Sequence, residues 1–146
     1  MNTAINSAAS IYLDANIIIY YMERDDELQQ SVGQIIAKSV ADGVSLFISE
    51  IGIAECLYGT YRPGREELSQ KYIELFHEIA LFSIIPIDGQ RAMAAAKLGA
   101  EKGLKLVDAI HFVGAIETGS SVFLTNDARF KSSHQIEVVQ LRHLLA

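Results

Sequence analysis

Ile11-Tyr12-Leu13-Asp14-Ala15-Asn16-Ile17-Ile18-Ile19 is the stretch on which the reading of this chain turns. Three apolar residues suit a short buried strand, and the second apolar run suits a helix over 15–23. Asp14 then falls where the strand ends and the helix begins. In open α/β sheets ligands bind at the carboxyl ends of the strands. An acid before a helix is also a common N-cap, so Asp14 alone is ambiguous. Asn16 adds a second oxygen-bearing side chain at the same edge.

Working outward, short apolar runs alternate with longer segments of helical period. Strands are expected over 11–13, 44–48, 83–87, 122–124 and 136–139, and helices over 15–23, 26–42, 50–60, 65–81, 89–102 and 107–118. That alternation implies an α/β fold with a central parallel sheet of about five strands. Asp42-Gly43, Arg62-Pro63-Gly64-Arg65 and Gly103 punctuate elements without resembling linkers. A single domain over 1–146 is expected, with 1–10 as a flexible N-terminal tail.

The 146 residues carry 18 acids against 12 bases, a formal charge of −6. No global positive field draws the chain to nucleic acid or to an anionic membrane, so any nucleic-acid contact must be local. The single cysteine, Cys56, has no internal partner and lies in an apolar run, as a buried thiol would. The first ten residues lack the pattern of a secretory signal, and the stretch 11–22 falls short of the ~20 residues that span a bilayer. A cytoplasmic, non-membrane protein is expected.

Most of the acids need only a solvated helix face: Glu23, Asp25, Asp26, Glu27, Glu66, Glu67, Glu74, Glu78 and Glu101 are read that way. Glu50 follows Ser49 in a first helical turn, where the helix dipole accounts for it. Glu55 is different, because Ile51, Ile53, Ala54, Leu57 and Tyr58 surround it, and an unpaired carboxylate in apolar surroundings is costly. Asp108 opens a helix that is apolar nearly all round, and Asp127 follows Val122-Phe123-Leu124 in Thr125-Asn126-Asp127, at another strand's carboxyl edge. Capping or a turn explains either one singly. Asp14, Glu55, Asp108 and Asp127 together make a convergent acidic pocket the better account.

Two unit charges ~4 Å apart repel by ~1 kcal/mol in water and ~4 kcal/mol at a protein surface, so protons or cations must compensate such a cluster. Oxygen ligands without a His/Cys cluster suit Mg²⁺ or Mn²⁺, which engage one or two carboxylates and a phosphate. Phosphodiester hydrolysis is the matching chemistry. His111, three residues beyond Asp108, is read as a packed or hydrogen-bonded structural histidine in preference to a catalytic one, because its neighbours are apolar.

Four pieces in this order resemble the PIN-domain family, and in particular the VapC toxins of toxin–antitoxin pairs: Tyr12-Leu13-Asp14-Ala15-Asn16; Ser49-Glu50-Ile51-Gly52-Ile53-Ala54-Glu55 with Gly59; Lys105-Leu106-Val107-Asp108-Ala109-Ile110-His111; and Phe123-Leu124-Thr125-Asn126-Asp127. The resemblance spans nearly the whole chain and implies a three-layer α/β/α PIN-like fold. It further implies a metal-dependent ribonuclease with Asp14, Glu55, Asp108 and Asp127 as ligands. Glu55 could instead be a base, and Asp127 could act through water. Asn16 and Thr125 would belong to the same site, supporting its ligands or positioning water. Ala15 departs from the Ser or Thr common in the family. A homodimer and a small antitoxin partner are implied as well.

Phosphate contacts must lie near the metal, which favours Lys105 and Arg129 over Arg62, Arg65 and Lys131. Unpaired RNA, single-stranded or looped, is the plausible target, since its bases are readable. Two rival readings stand beside this one. An aspartyl phosphatase needs Asp-x-Asp, which Asn16 breaks; a catalytically silent PIN module would keep its fold and partner without cleaving anything.

Overall fold

Strand β1 (Ser10–Leu13) is the centre of the sheet. Its neighbours are β2 (Ser45–Ser49) on one side and β4 (Val122–Thr125) on the other, with β3 (Ser83–Ile85) and β5 (Glu137–Gln140) at the edges, in the order β3-β2-β1-β4-β5. All four pairings are parallel, with Ile11 opposite both Leu46 and Val122. The computed structural model describes residues 3–78, 81–133 and 135–145.

Strand side chains alternate between faces, and the sequence uses that period to build two cores. Ile11, Leu13, Leu46, Ile48, Val122, Leu124 and Val139 enter the larger core with α2 (Ala15–Glu23), α3 (Glu27–Asp42), α4 (Glu50–Tyr61) and α5 (Glu66–Phe76). The intervening Tyr12, Phe47, Phe123 and Val138 point the other way, toward α7 (Leu106–Glu117), which packs in turn on α6 (Gly89–Lys102). The result is the expected three-layer α/β/α arrangement around a five-stranded parallel sheet. On the second face Phe123 meets Tyr12, Phe112 and Phe130 with ring centroids 5.2, 5.4 and 4.7 Å apart. Such pairs contribute about 0.5–1.5 kcal/mol each beyond their buried area.

The helices start and stop for local reasons. Asp26, Ser49 and Asp88 cap α3, α4 and α6 through side-chain oxygens that accept from backbone N–H groups two or three residues on. Gly43 and Gly103 end α3 and α6 in the left-handed conformation, with φ of 71° and 70°.

Several expected boundaries move. β3 stops at Ile85 and not at 87, because Pro86 has no N–H to give the ladder. The helix expected over 65–81 ends at Phe76, and the Leu81 N–H donates to the Glu78 carbonyl ahead of β3; Ile79 and Ala80 lie outside the described residues. Residues 3–10 are not the expected tail. Thr3–Ser7 forms a short helix, α1, whose Ile5 joins Ala8 in the larger core, and Ser10 already belongs to β1.

Cys56 is free and buried, and burial pushes its thiol up to about 12, so it is an inert core residue. Among the described residues no helix is long and apolar enough to cross a membrane.

Candidate metal centre

Asp14 is both the last rung of a strand pairing and the first residue of a turn into a helix. Its N–H donates to the Leu124 carbonyl at 3.1 Å, one step beyond the β1–β4 register, and its extended backbone (φ −63°, ψ 151°) then turns into α2. Its side chain does not cap as the three true caps do. Oδ1 accepts from the adjacent Ala15 N–H at 2.8 Å, and Oδ2 accepts from the Thr125 hydroxyl at 2.7 Å. The residue is 6% exposed. Burial raises its pKa above the ordinary carboxyl value; His111 and the Thr125 hydroxyl oppose that shift, and Glu55 adds to it. Capping therefore does not account for Asp14, a carboxylate held rigidly where its charge is costly.

Thr125, fully buried at the end of β4, ties two of the acids together. The same oxygen that donates to Asp14 accepts the Asp127 N–H at 3.0 Å. Asp127 is thereby fixed just beyond the strand, and Gln140 holds its carbonyl through Nε2 at 2.9 Å.

Glu55 reaches the site from α4 and meets His111 from α7. His111 Nε2 lies 2.5 Å from Glu55 Oε1 and 3.8 Å from Asp14 Oδ1, while its Nδ1 lies 2.7 Å from the Tyr12 hydroxyl. A carboxylate can only accept, so Nε2 carries the hydrogen and Nδ1 is left to accept from Tyr12. Burial raises the Tyr12 pKa, which keeps its hydroxyl a donor. His111 is the packed, hydrogen-bonded histidine expected, and it also braces two acids of the site. Tyr12 escaped the sequence reading; its place between Ile11 and Leu13 on the opposite face of β1 was the available signal.

Asp108 is the third residue of α7, whose N-cap Lys105 makes no side-chain capping bond. Burial raises the Asp108 pKa; Arg129 opposes that shift and Asp127 adds to it. Arg129 bridges the two acids, with Nη2 3.1 Å from Asp108 Oδ2 and 2.5 Å from Asp127 Oδ2, and Nε donating to both Asp127 oxygens at 3.0 Å. Those bonds hold the Asp127 carboxyl below its ordinary range.

The four acids thus gather at one edge of the sheet as two pairs, Asp14 and Glu55 around His111, Asp108 and Asp127 around Arg129. Among the described residues no group of three or more His, Cys, Asp or Glu side chains is placed to hold a metal ion. A magnesium-type ion needs only one or two carboxylates and keeps its waters, so an all-oxygen donor set anchored by two buried-edge aspartates fits it. Asn16 is exposed on the first turn of α2, and Lys105 is exposed close enough to lower the Asp127 pKa by its charge. Glu23 corrects a reading of the sequence. It is no merely solvated acid, since it accepts from the Tyr72 hydroxyl at 2.6 Å and from Arg65 at 3.2 Å.

Comparison with known proteins places this geometry in context. The PIN-domain family profile matches residues 11–133. Solved structures with the same fold include VapBC2 from Rickettsia felis bound to a promoter DNA fragment, at 20% identity and a TM-score of 0.72, covering 90% of this chain and 98% of that one. DNA-bound VapBC from Salmonella typhimurium matches at 21% identity and a TM-score of 0.70, with the same coverage. VapC20 of Mycobacterium tuberculosis, a toxin that cleaves the sarcin–ricin loop, matches at 14% identity and a TM-score of 0.70, over 88% of this chain and 98% of that one. No curated protein matches significantly by sequence. The profile covers most of the chain, including all four acids, and the chain belongs to the PIN-domain family.

Proposed function

We propose that this protein is a divalent-metal-dependent endoribonuclease, the toxin of a VapBC-type pair, that hydrolyses RNA phosphodiester bonds at the edge formed by Asp14, Glu55, Asp108 and Asp127. The observation that carries the proposal is Thr125 Oγ1 joined at once to Asp14 and to the Asp127 backbone, which fixes two acids from adjacent strands at their carboxyl ends. Mg²⁺ or Mn²⁺ would supply Lewis acidity at the scissile phosphate and an activated water. Asp14 and Asp108 are the direct ligands in this reading. Glu55, aimed by His111, serves as a further ligand or as the base that takes a proton from the attacking water. Asp127 contributes charge, Thr125 positions its neighbours, and Asn16, exposed on the first turn of α2, is assigned a supporting or water-positioning role. Lys105 and Arg129 bind the substrate backbone, and unpaired RNA is the substrate class. The toxin–antitoxin complexes of the same fold support a small antitoxin as partner, and a homodimer in the cytoplasm completes the reading.

The test is cleavage of a mixed structured-RNA pool by partner-free protein, with Mg²⁺, Mn²⁺ or chelator, beside Asp14→Asn and Asp108→Asn. Metal-dependent cuts lost in both folded variants support the nuclease. A second reading is a PIN-fold interaction module without catalysis, favoured by the engagement of Asp108 and Asp127 with Arg129. Absence of both cleavage and calorimetric metal binding would select it. If a neighbouring-gene product neither co-purifies nor suppresses cleavage, the enzyme is a PIN nuclease of RNA processing and not a toxin.

A further inference from the structure

We infer that Arg129 is the protein's own counter-cation for its acidic site, holding Asp108 and Asp127 in the metal-free chain and yielding them to a divalent ion. The inference rests on the reading of this edge as a divalent-cation site. One guanidinium joins acids from two separate elements, Asp108 on α7 and Asp127 after β4, through Nη2 at 3.1 and 2.5 Å, and Nε adds two contacts of 3.0 Å to Asp127. A divalent ion held by Asp108 needs the oxygen that Nη2 occupies, and it draws on the Asp127 charge that the guanidinium neutralises; two cations so close also repel, so the guanidinium and the ion compete.

The bridge is not needed to shape its loop. Arg142 already holds the Asn126 side chain, through its backbone N–H at 3.0 Å and its Nε at 3.1 Å. Gln140 holds the Asp127 carbonyl at 2.9 Å, and the Arg129 N–H closes the turn on Asp127 Oδ1 at 2.9 Å. With the backbone fixed by these bonds, the guanidinium is left an electrostatic task. Its side chain is 53% exposed, so it can leave without opening the core. Once displaced, it stays tethered beside the site as a planar fork suited to a phosphate. Cation binding and presentation of a phosphate-binding arm are then one event, and Arg129 is a positioning residue for the acids before it is a substrate contact.

Calorimetric titration of Mn²⁺ into the full chain, its Arg129→Gln variant and its Arg129→Lys variant tests this. Arg129→Gln should bind Mn²⁺ about 5–10-fold more tightly, the low end of ordinary coupling between ligands, with Arg129→Lys in between. Equal or weaker affinity in a folded Arg129→Gln overturns the inference while leaving the metal site standing. Absence of Mn²⁺ binding in all three overturns both. A measurement on the unaltered chain guards against a variant that misfolds: the Arg129 Nε–H resonance should shift and exchange faster with water when Mg²⁺ is added. A resonance that Mg²⁺ leaves unmoved, in a chain that binds the ion, overturns the inference.

Discussion

Thr125 and Asp14 stand 111 residues apart in sequence and meet at 2.7 Å, hydroxyl to carboxylate, across the ends of two paired strands. Replacing Thr125 by the isosteric Val leaves a buried carboxylate oxygen and the Asp127 N–H without their partner. Each unsatisfied group costs about 1–3 kcal/mol. Thr125→Val should therefore melt several degrees lower in a thermal scan, and Thr125→Ser should restore most of the loss.

Asp14 and Asp108 titrate above their ordinary values in the fold, so between the unfolded and folded values the native state holds more protons. Stability in the absence of metal should then fall as pH rises through that window and level off above it. Asp127 runs the other way, since its lowered value contributes stability that is lost as pH falls through it. Asp14→Asn should flatten the decline and raise the melting temperature at neutral pH in chelator, while reducing the stabilisation that Mg²⁺ gives. Urea unfolding across the acid range, with and without Mg²⁺, measures both effects.

Tyr12 carries the far end of the His111 relay. Tyr12→Phe keeps the ring beside Phe123 but leaves the buried His111 Nδ1 without its 2.7 Å partner. A loss of about 1–3 kcal/mol in urea-derived stability is expected. The imidazole should also show altered ring-nitrogen shifts by NMR, because its hold on Glu55 is loosened.

Two glycines should respond to alanine with opposite signs. A Cβ at Gly99 would lie 3.2 Å from both the Ala109 Cβ and the Leu104 carbonyl, forcing α6 away from the start of α7. Overpacking of this kind costs about 1–3 kcal/mol, and the displaced segment carries Asp108, so Mn²⁺ affinity should drop as well. Gly59 sits within α4, and a Cβ added there would meet nothing within 4 Å. Gly59→Ala should stabilise the protein by about 0.5–1 kcal/mol, the entropic cost of glycine in a helix. Paired thermal melts decide both.

How far the sequence could be read depended on whether the deciding interaction is local. Asp14 and Asp127 stood out because strand ends are visible in short apolar runs, and Glu55 because an acid among Ile51, Ile53 and Leu57 violates helical patterning. The five parallel strands followed from the same periodicities, and the three-layer arrangement from the family resemblance. What escaped depends on which elements lie side by side. Glu23 meets Tyr72 only because α2 and α5 share the larger core, and nothing in either segment's pattern announces it. Arg129 was legible as a base near the site but not as the bridge between Asp108 and Asp127, since that requires α7 beside the loop after β4. α1 was missed because five residues carry too little period to read, although Ile5 packs into the core.

The central place of β1 also governs when the chain can become active. Asp14 precedes its partner strand β4, which begins at Val122, and Asp108 and Asp127 are made 94 and 113 residues after it. Until that later segment has cleared the ribosome and slotted in beside β1, the first carboxylate has neither Thr125 to orient it nor the second pair of acids to complete the edge. A protein with the proposed activity would otherwise be dangerous to the ribosome that makes it, rich as that is in RNA. Sheet order postpones the hazard until β4 has paired with β1.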